Sequence, residues 1–142
     1  MVDVLRESHR VLKPEGLLID LRPAVLHRRV GFAGADGYRL LWVMRESFED
    51  DRAADRAVAE VVSSGLFKKG RRSRFPCYRV MDTIGEFREW LADFASRGKC
   101  PSHDWLVRAI EDELEASDEK TALVVSAPLT LQILRIGKDL RQ

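Results

Sequence analysis

Apolar residues at helical spacing open the chain: Leu5 and Leu12, with Val4, Ser8 and Val11 beside them, follow Asp3, which is placed to cap a short helix. Pro14 and Gly16 stop that helix, and Leu17, Leu18, Ile19 and Leu21 then form a short, nearly continuous apolar run. Such a run is the pattern of a strand covered on both faces. Residues 24 to 45 are interrupted by Gly31, Gly34 and Gly37 and end in Tyr38, Leu40, Leu41, Trp42 and Val43, which reads as a glycine-rich loop followed by a strand or helix. From Asp51 onward, Ala54, Ala57, Val58, Val61 and Val62 fall on one face of a helix, and Gly65 stands where a left-handed helix end is wanted.

Leu66 to Met81 favours extended chain, with Phe75, Cys77, Tyr78 and Val80 distributed over its two faces. Thr83 and Glu86 have capping-box spacing, ahead of a helix that turns Ile84, Phe87, Trp90, Leu91 and Phe94 inward. A further helix starts near Ser102 and buries Trp105, Leu106, Ile110 and Leu114. Thr121 to Ile136 alternates Leu129, Leu131 and Ile133 against Thr130 and Gln132, with Pro128 marking a bend, bulge or edge. The order is α, β, loop, α, β, α, α, β. It predicts an α/β domain over residues 1 to 142, with a sheet of three or four strands, a C-terminal antiparallel strand pair and helices packed on it.

Composition narrows the function classes. The chain of 142 residues has 45% hydrophobic and 33% charged residues, enough apolar material for a packed interior under a charged surface. Twenty-four Lys and Arg against 23 Asp and Glu leave a formal charge of +1, so the whole chain offers no field to recruit nucleic acid or anionic membrane. Cys77 and Cys100 have no second cysteine pair, which argues against a zinc site and for two reduced thiols. No window approaches the roughly 18 apolar residues of a spanning helix, and no signal-peptide core is present. A cytoplasmic protein without a membrane role is the expectation.

The residues Leu5, Glu7, Arg10, Val11, Leu12, Lys13, Pro14, Glu15, Gly16, Leu17, Leu18, Ile19 and Asp20 carry a resemblance. The segment resembles L-x-E-x-x-R-V-L-K-P-G-G-x-L-x-x-D of the class I S-adenosylmethionine-dependent methyltransferases, with Glu15 in place of the first glycine. In that family this is the helix and fifth strand of a seven-stranded sheet closed by an antiparallel sixth and seventh strand. The resemblance therefore implies that Leu66 to Met81 and Thr121 to Ile136 are the closing pair, and that the chain is a truncated methyltransferase-like sheet. Family members hold the cofactor on an early strand and a GxGxG loop, and neither precedes residue 7. Gly31, Gly34 and Gly37 follow the wrong strand at wider spacing and do not replace it. S-adenosylmethionine is thus the cofactor implied by resemblance, and the chain is not expected to bind it alone.

Two groups of residues are candidate sites. Asp20, Arg22 and Pro23 lie at the carboxyl end of the expected strand, where open α/β sheets place their ligand crevice and where the resemblance implies the substrate side. The alternative is that Asp20 and Arg22 do no more than cap and solvate a turn. Lys68, Lys69, Arg71, Arg72 and Arg74, flanked by Phe67, Phe75 and Tyr78, form the dense basic patch, able to neutralise phosphates or to guard a strand edge with charge. His9, His27 and His103 show no metal-ligand or acid–base spacing, and Ser63, Ser64 and Ser126 lack a nucleophile elbow. Glu46, Glu49, Asp50, Asp51 and Asp55 gather where a helix begins, which its dipole favours. The leading expectation is a methyltransferase-like domain lacking its cofactor half. The alternatives are a homodimeric interaction module, or an RNA-associated domain using residues 68 to 74. In the first two, a partner chain or second copy covers an exposed sheet edge.

Overall fold

A computed structural model describes residues 1–101, 103–116 and 121–137. Its elements are α1 (Val2–Val11), β1 (Leu17–Pro23), β2 (Arg29–Gly34), β3 (Gly37–Val43), α2 (Glu49–Ser63), β4 (Phe67–Met81), α3 (Ile84–Ser96), α4 (Asp104–Ala116) and β5 (Ala122–Ile136). The class is α/β, and the five strands form an antiparallel sheet rather than one of three or four. The additional strands come from residues 29–43. These were expected to be a loop and one element; they form a two-residue hairpin, with Gly34 opposite Gly37 across Ala35 and Asp36. Gly37 has φ of 103°, a conformation that the turn needs and that a side chain resists.

The chain separates into two compact units. The first comprises residues 1–25, 48–75 and 129–142. In it β1 runs antiparallel to β5, from Leu17 opposite Arg135 to Pro23 opposite Leu129. A Cβ built on Gly70 would come within 3.3 Å of Ile133, and Ile19 pairs with the same Ile133. Since a strand has two edges, β4 and β1 flank β5 on opposite sides, and β1 stands at the end of the strand order. The expected pairing of the two late strands beside the strand at 17–21 is therefore present. One face of this sheet is covered: Leu18, Phe67 and Leu134 pack with Leu5 of α1 and with Ala57, Val58 and Val61 of α2. The helix α1 begins two residues earlier than expected, with Met1 at the cap and Asp3 inside the first turn, where its charge suits the dipole. Gly65 closes α2 at φ 79°, as the sequence predicted.

The second unit comprises residues 26–47 and 76–128. Here β2 pairs with β3 and with the first part of β5, from Arg29 opposite Ser126 to Ala33 opposite Ala122. Val30, Phe32, Leu123 and Val125 meet Phe87 and Leu91 of α3 and Leu106, Val107 and Ile110 of α4 in one core. Thr83 caps α3, its Oγ1 accepting from the Glu86 N–H at 3.1 Å while Glu86 Oε2 accepts from the Asp82 N–H at 3.0 Å. The capping-box spacing thus acts as read, with the return bond one residue earlier. Ser102, the expected start of the next helix, lies outside the described residues; α4 is described from Asp104. Trp105, expected inward, is 55% exposed, and its ring instead meets Trp42 edge-on at 5.6 Å.

Pro128 lies between the two stretches of β5 that pair with β1 and β2, at Leu129 and Ser126 respectively. Lacking an N–H, it suits the position where the ladder is interrupted.

Candidate functional site

The alternation of β1 decides what its side chains can do. Leu18, Asp20 and Arg22 share the face toward the helices, while Leu17, Ile19, Leu21 and Pro23 share the other. On the helix-covered face, Arg22 Nε donates to both oxygens of Asp20 at 2.8 Å. Its terminal nitrogen donates to Asp55 Oδ1 of α2 at 3.0 Å. The Arg22 and Asp20 side chains are 15% and 13% exposed, and that of Asp55 is 43% exposed. A guanidinium held between two carboxylates is charge-assisted hydrogen bonding in its strong form, and it fixes the carboxyl end of β1 beneath α2.

Across the ladder, Arg22 is paired with Thr130 and Asp20 with Gln132. Gln132 is buried, and its amide donates to the carbonyls of Gly70, Arg71 and Ile133 at 3.1, 3.3 and 2.9 Å. Thr130 is also buried, and its hydroxyl has no hydrogen-bond partner among the described residues. The candidate pair Asp20 and Arg22 is thus part of a larger polar cluster completed by Asp55, Thr130 and Gln132. Pro23 lies on the opposite face. The cluster carries one positive and two negative charges, so it is not built to take an anion.

The five basic candidates of β4 are all exposed, and strand alternation divides them. Phe67 is buried in the core under the helices, which places Lys69 and Arg71 on that side. Lys68, Arg72 and Arg74 share the side of Gly70 and Ile133. The patch is therefore two partial rows rather than one basic groove.

In the second unit, Glu46 is not one of the carboxylates at a helix start. Its side chain is 4% exposed and is ion-paired to Arg28, whose guanidinium lies 4.5 Å from the Phe94 ring centre. Glu49, Asp50 and Asp51 do occupy the first turn of α2. Burial pushes the Cys100 thiol up, and the nearby Glu46 carboxylate adds to this against the opposing Arg28 charge. Cys77 is exposed and unbonded. Tyr38 is likewise raised by burial, with Arg29 opposing and Tyr78 adding. A cleft of about 330 Å³ opens between α3 and α4, lined by Arg88, Leu91, Ala92, Asp104, Val107 and Arg108. Arg88 is already ion-paired to Glu111. His9 meets Phe67 edge-on and His103 meets Trp42, both as packing contacts. The Ser63 and Ser64 hydroxyls donate to helix carbonyls of Glu60 and Val61. Among the described residues, no group of three or more His, Cys, Asp or Glu is placed to hold a metal ion, and no helix is long and apolar enough to cross a membrane.

Sequence reasoning found Asp20 and Arg22 from their place at a strand end. It missed Thr130, Gln132 and the role of Asp55. The available signal was the unusual insertion of Thr and Gln into an otherwise aliphatic strand at Leu129 to Leu134. No protein-family model, curated protein or solved structure matches the chain.

Proposed function

We propose that these residues are the closing part of a methyltransferase-like sheet. The strands and glycine-rich loop that hold S-adenosylmethionine would add along the free edge of β1, whichever polypeptide carries them. The observation that supports this reading is the place of β1. The strand that follows the Arg10–Gly16 segment stands at the end of the strand order, with β5 antiparallel on its paired side and β4 beyond. In the family the corresponding strand is the fifth of seven, so an edge left open there is where the preceding strands attach. The glycines at 31, 34 and 37 lie in and around a hairpin turn and offer no strand-to-helix loop for a cofactor.

On this reading the chain alone is inactive. Methyl transfer in the completed sheet rests on proximity and alignment, with the Asp20–Arg22–Asp55 network holding the carboxyl end of β1 rigid on the acceptor side. Self-association through the same edge is the competing reading, favoured by the same unpaired strand.

The test combines calorimetric titration of the chain with S-adenosylmethionine, its mass in solution, and amide exchange of β1. We expect a monomer, no binding heat, and fast exchange at alternate β1 amides, those directed away from β5. Micromolar cofactor binding by the chain alone would overturn the reading. A stable dimer with every β1 amide protected would replace it with self-association.

A further inference from the structure

Among the described residues, the face of the first unit's sheet turned away from α1 and α2 is aliphatic, and no helix covers its β1 margin. Leu17, Ile19 and Leu21 are 48%, 62% and 54% exposed. Their register partners Ile133 and Leu131, with Leu129 opposite Pro23, continue the same surface as half-buried residues. A contiguous aliphatic surface of this kind on a sheet marks an interaction site, because water is excluded from it at a gain. The run Leu17-Leu18-Ile19 is itself the pattern of a strand buried on both sides, and among the described residues only one side is covered.

Charge around the surface is one-sided. Lys68, Arg72 and Arg74 stand on this face of β4, and Arg135 at the end of β5, opposite Leu17, stands on it too. None of the four forms an ion pair among the described residues. The β1 margin holds Leu17, Ile19, Leu21 and Pro23, with no charge.

We infer that this face docks an amphipathic helix of a partner segment whose apolar stripe covers Leu17, Ile19, Leu21, Leu131 and Ile133, and whose flank over β4 carries Asp or Glu. The dimensions suit one helix. Three strands span about 10 Å between the outer two, close to the diameter of a helix with its side chains. From Leu129 to Arg135 the face is about 20 Å long, the length of about 13 helical residues. A helix also leaves its own backbone bonded internally, so it can lie on a sheet face that offers no backbone partner. The surface gives no reason for acid on the β1 flank, so the charge requirement is asymmetric. The inference concerns the face and not the edge of β1, and it stands whether or not the sheet is methyltransferase-like.

The test is selection, on the folded chain, from a phage-displayed library of 18-residue helices. The library fixes a leucine stripe and randomises both flanks among Glu, Gln and Lys. We expect at least tenfold enrichment of Glu over Lys on one flank only. The triple variant K68E/R72E/R74E, altered at exposed positions, should invert that preference to Lys. Ile19→Asp and, independently, Leu21→Asp should abolish selection while the circular dichroism spectrum stays unchanged. Enrichment without flank bias, bias that survives charge reversal, or selection that survives both β1 variants would overturn the inference. So would Ile19-dependent sedimentation with phosphatidylcholine–phosphatidylglycerol vesicles, which would assign the face to a membrane. A dimer converted to monomer by Ile19→Asp would assign it to a second copy.

Discussion

The two faces of the first unit's sheet are inverted relative to the usual rule. The face beneath α2 carries Asp20, Arg22, Thr130 and Gln132 among Leu18 and Leu134, whereas the uncovered face carries Leu17, Ile19, Leu21, Leu129, Leu131 and Ile133. Polar groups lie inside, Arg22 paired with Asp20 and Asp55 and Gln132 bonded to backbone carbonyls, and aliphatic groups lie outside with little over them. A slip of one residue in β1 would exchange the faces, taking Arg22 from Asp55 of α2 and Leu18 from the core, so that ion pair and that packing favour this register. The difference teaches that burial on this sheet does not follow hydrophobicity alone. The inner face is specified by hydrogen bonds, and the outer face still has a layer to gain.

This contrast can be broken experimentally. Leu134→Ala removes a fully buried side chain from the inner core and should cost about 3 kcal/mol, read as a lower urea midpoint at unchanged m-value. Arg22→Ala leaves the Asp20 carboxylate mostly buried and unpaired. It should cost about 2 kcal/mol, less than for a fully buried pair because Asp55 keeps contact with water. Ile19→Thr, on the outer face, should change the stability of the isolated chain by less than about 0.5 kcal/mol. An unfolding cost as large as that of Leu134→Ala would show that the outer face is already covered. Thr130→Val sharpens the comparison most finely. Its hydroxyl is buried without a partner among the described residues, so the isosteric methyl should leave stability unchanged or raise it slightly. A loss of more than about 1 kcal/mol would mean that the hydroxyl has a partner after all.

The two thiols give an independent check on the second unit. Cys77 is exposed and should react rapidly with Ellman's reagent at pH 8, while Cys100 should react only on unfolding. Because the folded pKa of Cys100 lies above its ordinary value, its contribution to stability is present below the ordinary thiol pKa. It declines as pH rises through the raised one.

Much of this architecture was legible in order and period. The helix with Ala54, Ala57, Val58 and Val61 buried and the capped helix at Thr83 form as their patterns dictate, and the strand at 129–136 forms with its polar residues, Thr130 and Gln132, on the buried side. The hairpin at 29–43 was not legible, because Gly31 and Gly34 interrupt the alternation that would have marked its first strand. Tyr38 covers the space a side chain at Gly31 would need: a Cβ there would lie 2.7 Å from its ring. The polar cluster was half legible. Asp20 and Arg22 are two apart on one strand, but Asp55 reaches Arg22 from 33 residues away, and local sequence holds no sign of that distance. The outer face was misread as covered because an apolar run reports what a strand is suited to, not what the described chain supplies.

The place of β5 also has a consequence for biosynthesis. It pairs with β1, β2 and β4, yet it is translated after all of them. While the ribosome is still making α3 and α4, β1 and β4 lack the strand that joins them, and the hairpin β2–β3 lacks its neighbour. The nascent chain therefore holds Leu17-Leu18-Ile19 and the long β4 without their ladder until residues 122–136 have left the exit tunnel. Such late, long-range pairing is slow and leaves strand edges open to misassembly. A holdase at the ribosome would find its longest-lived target in these early strands.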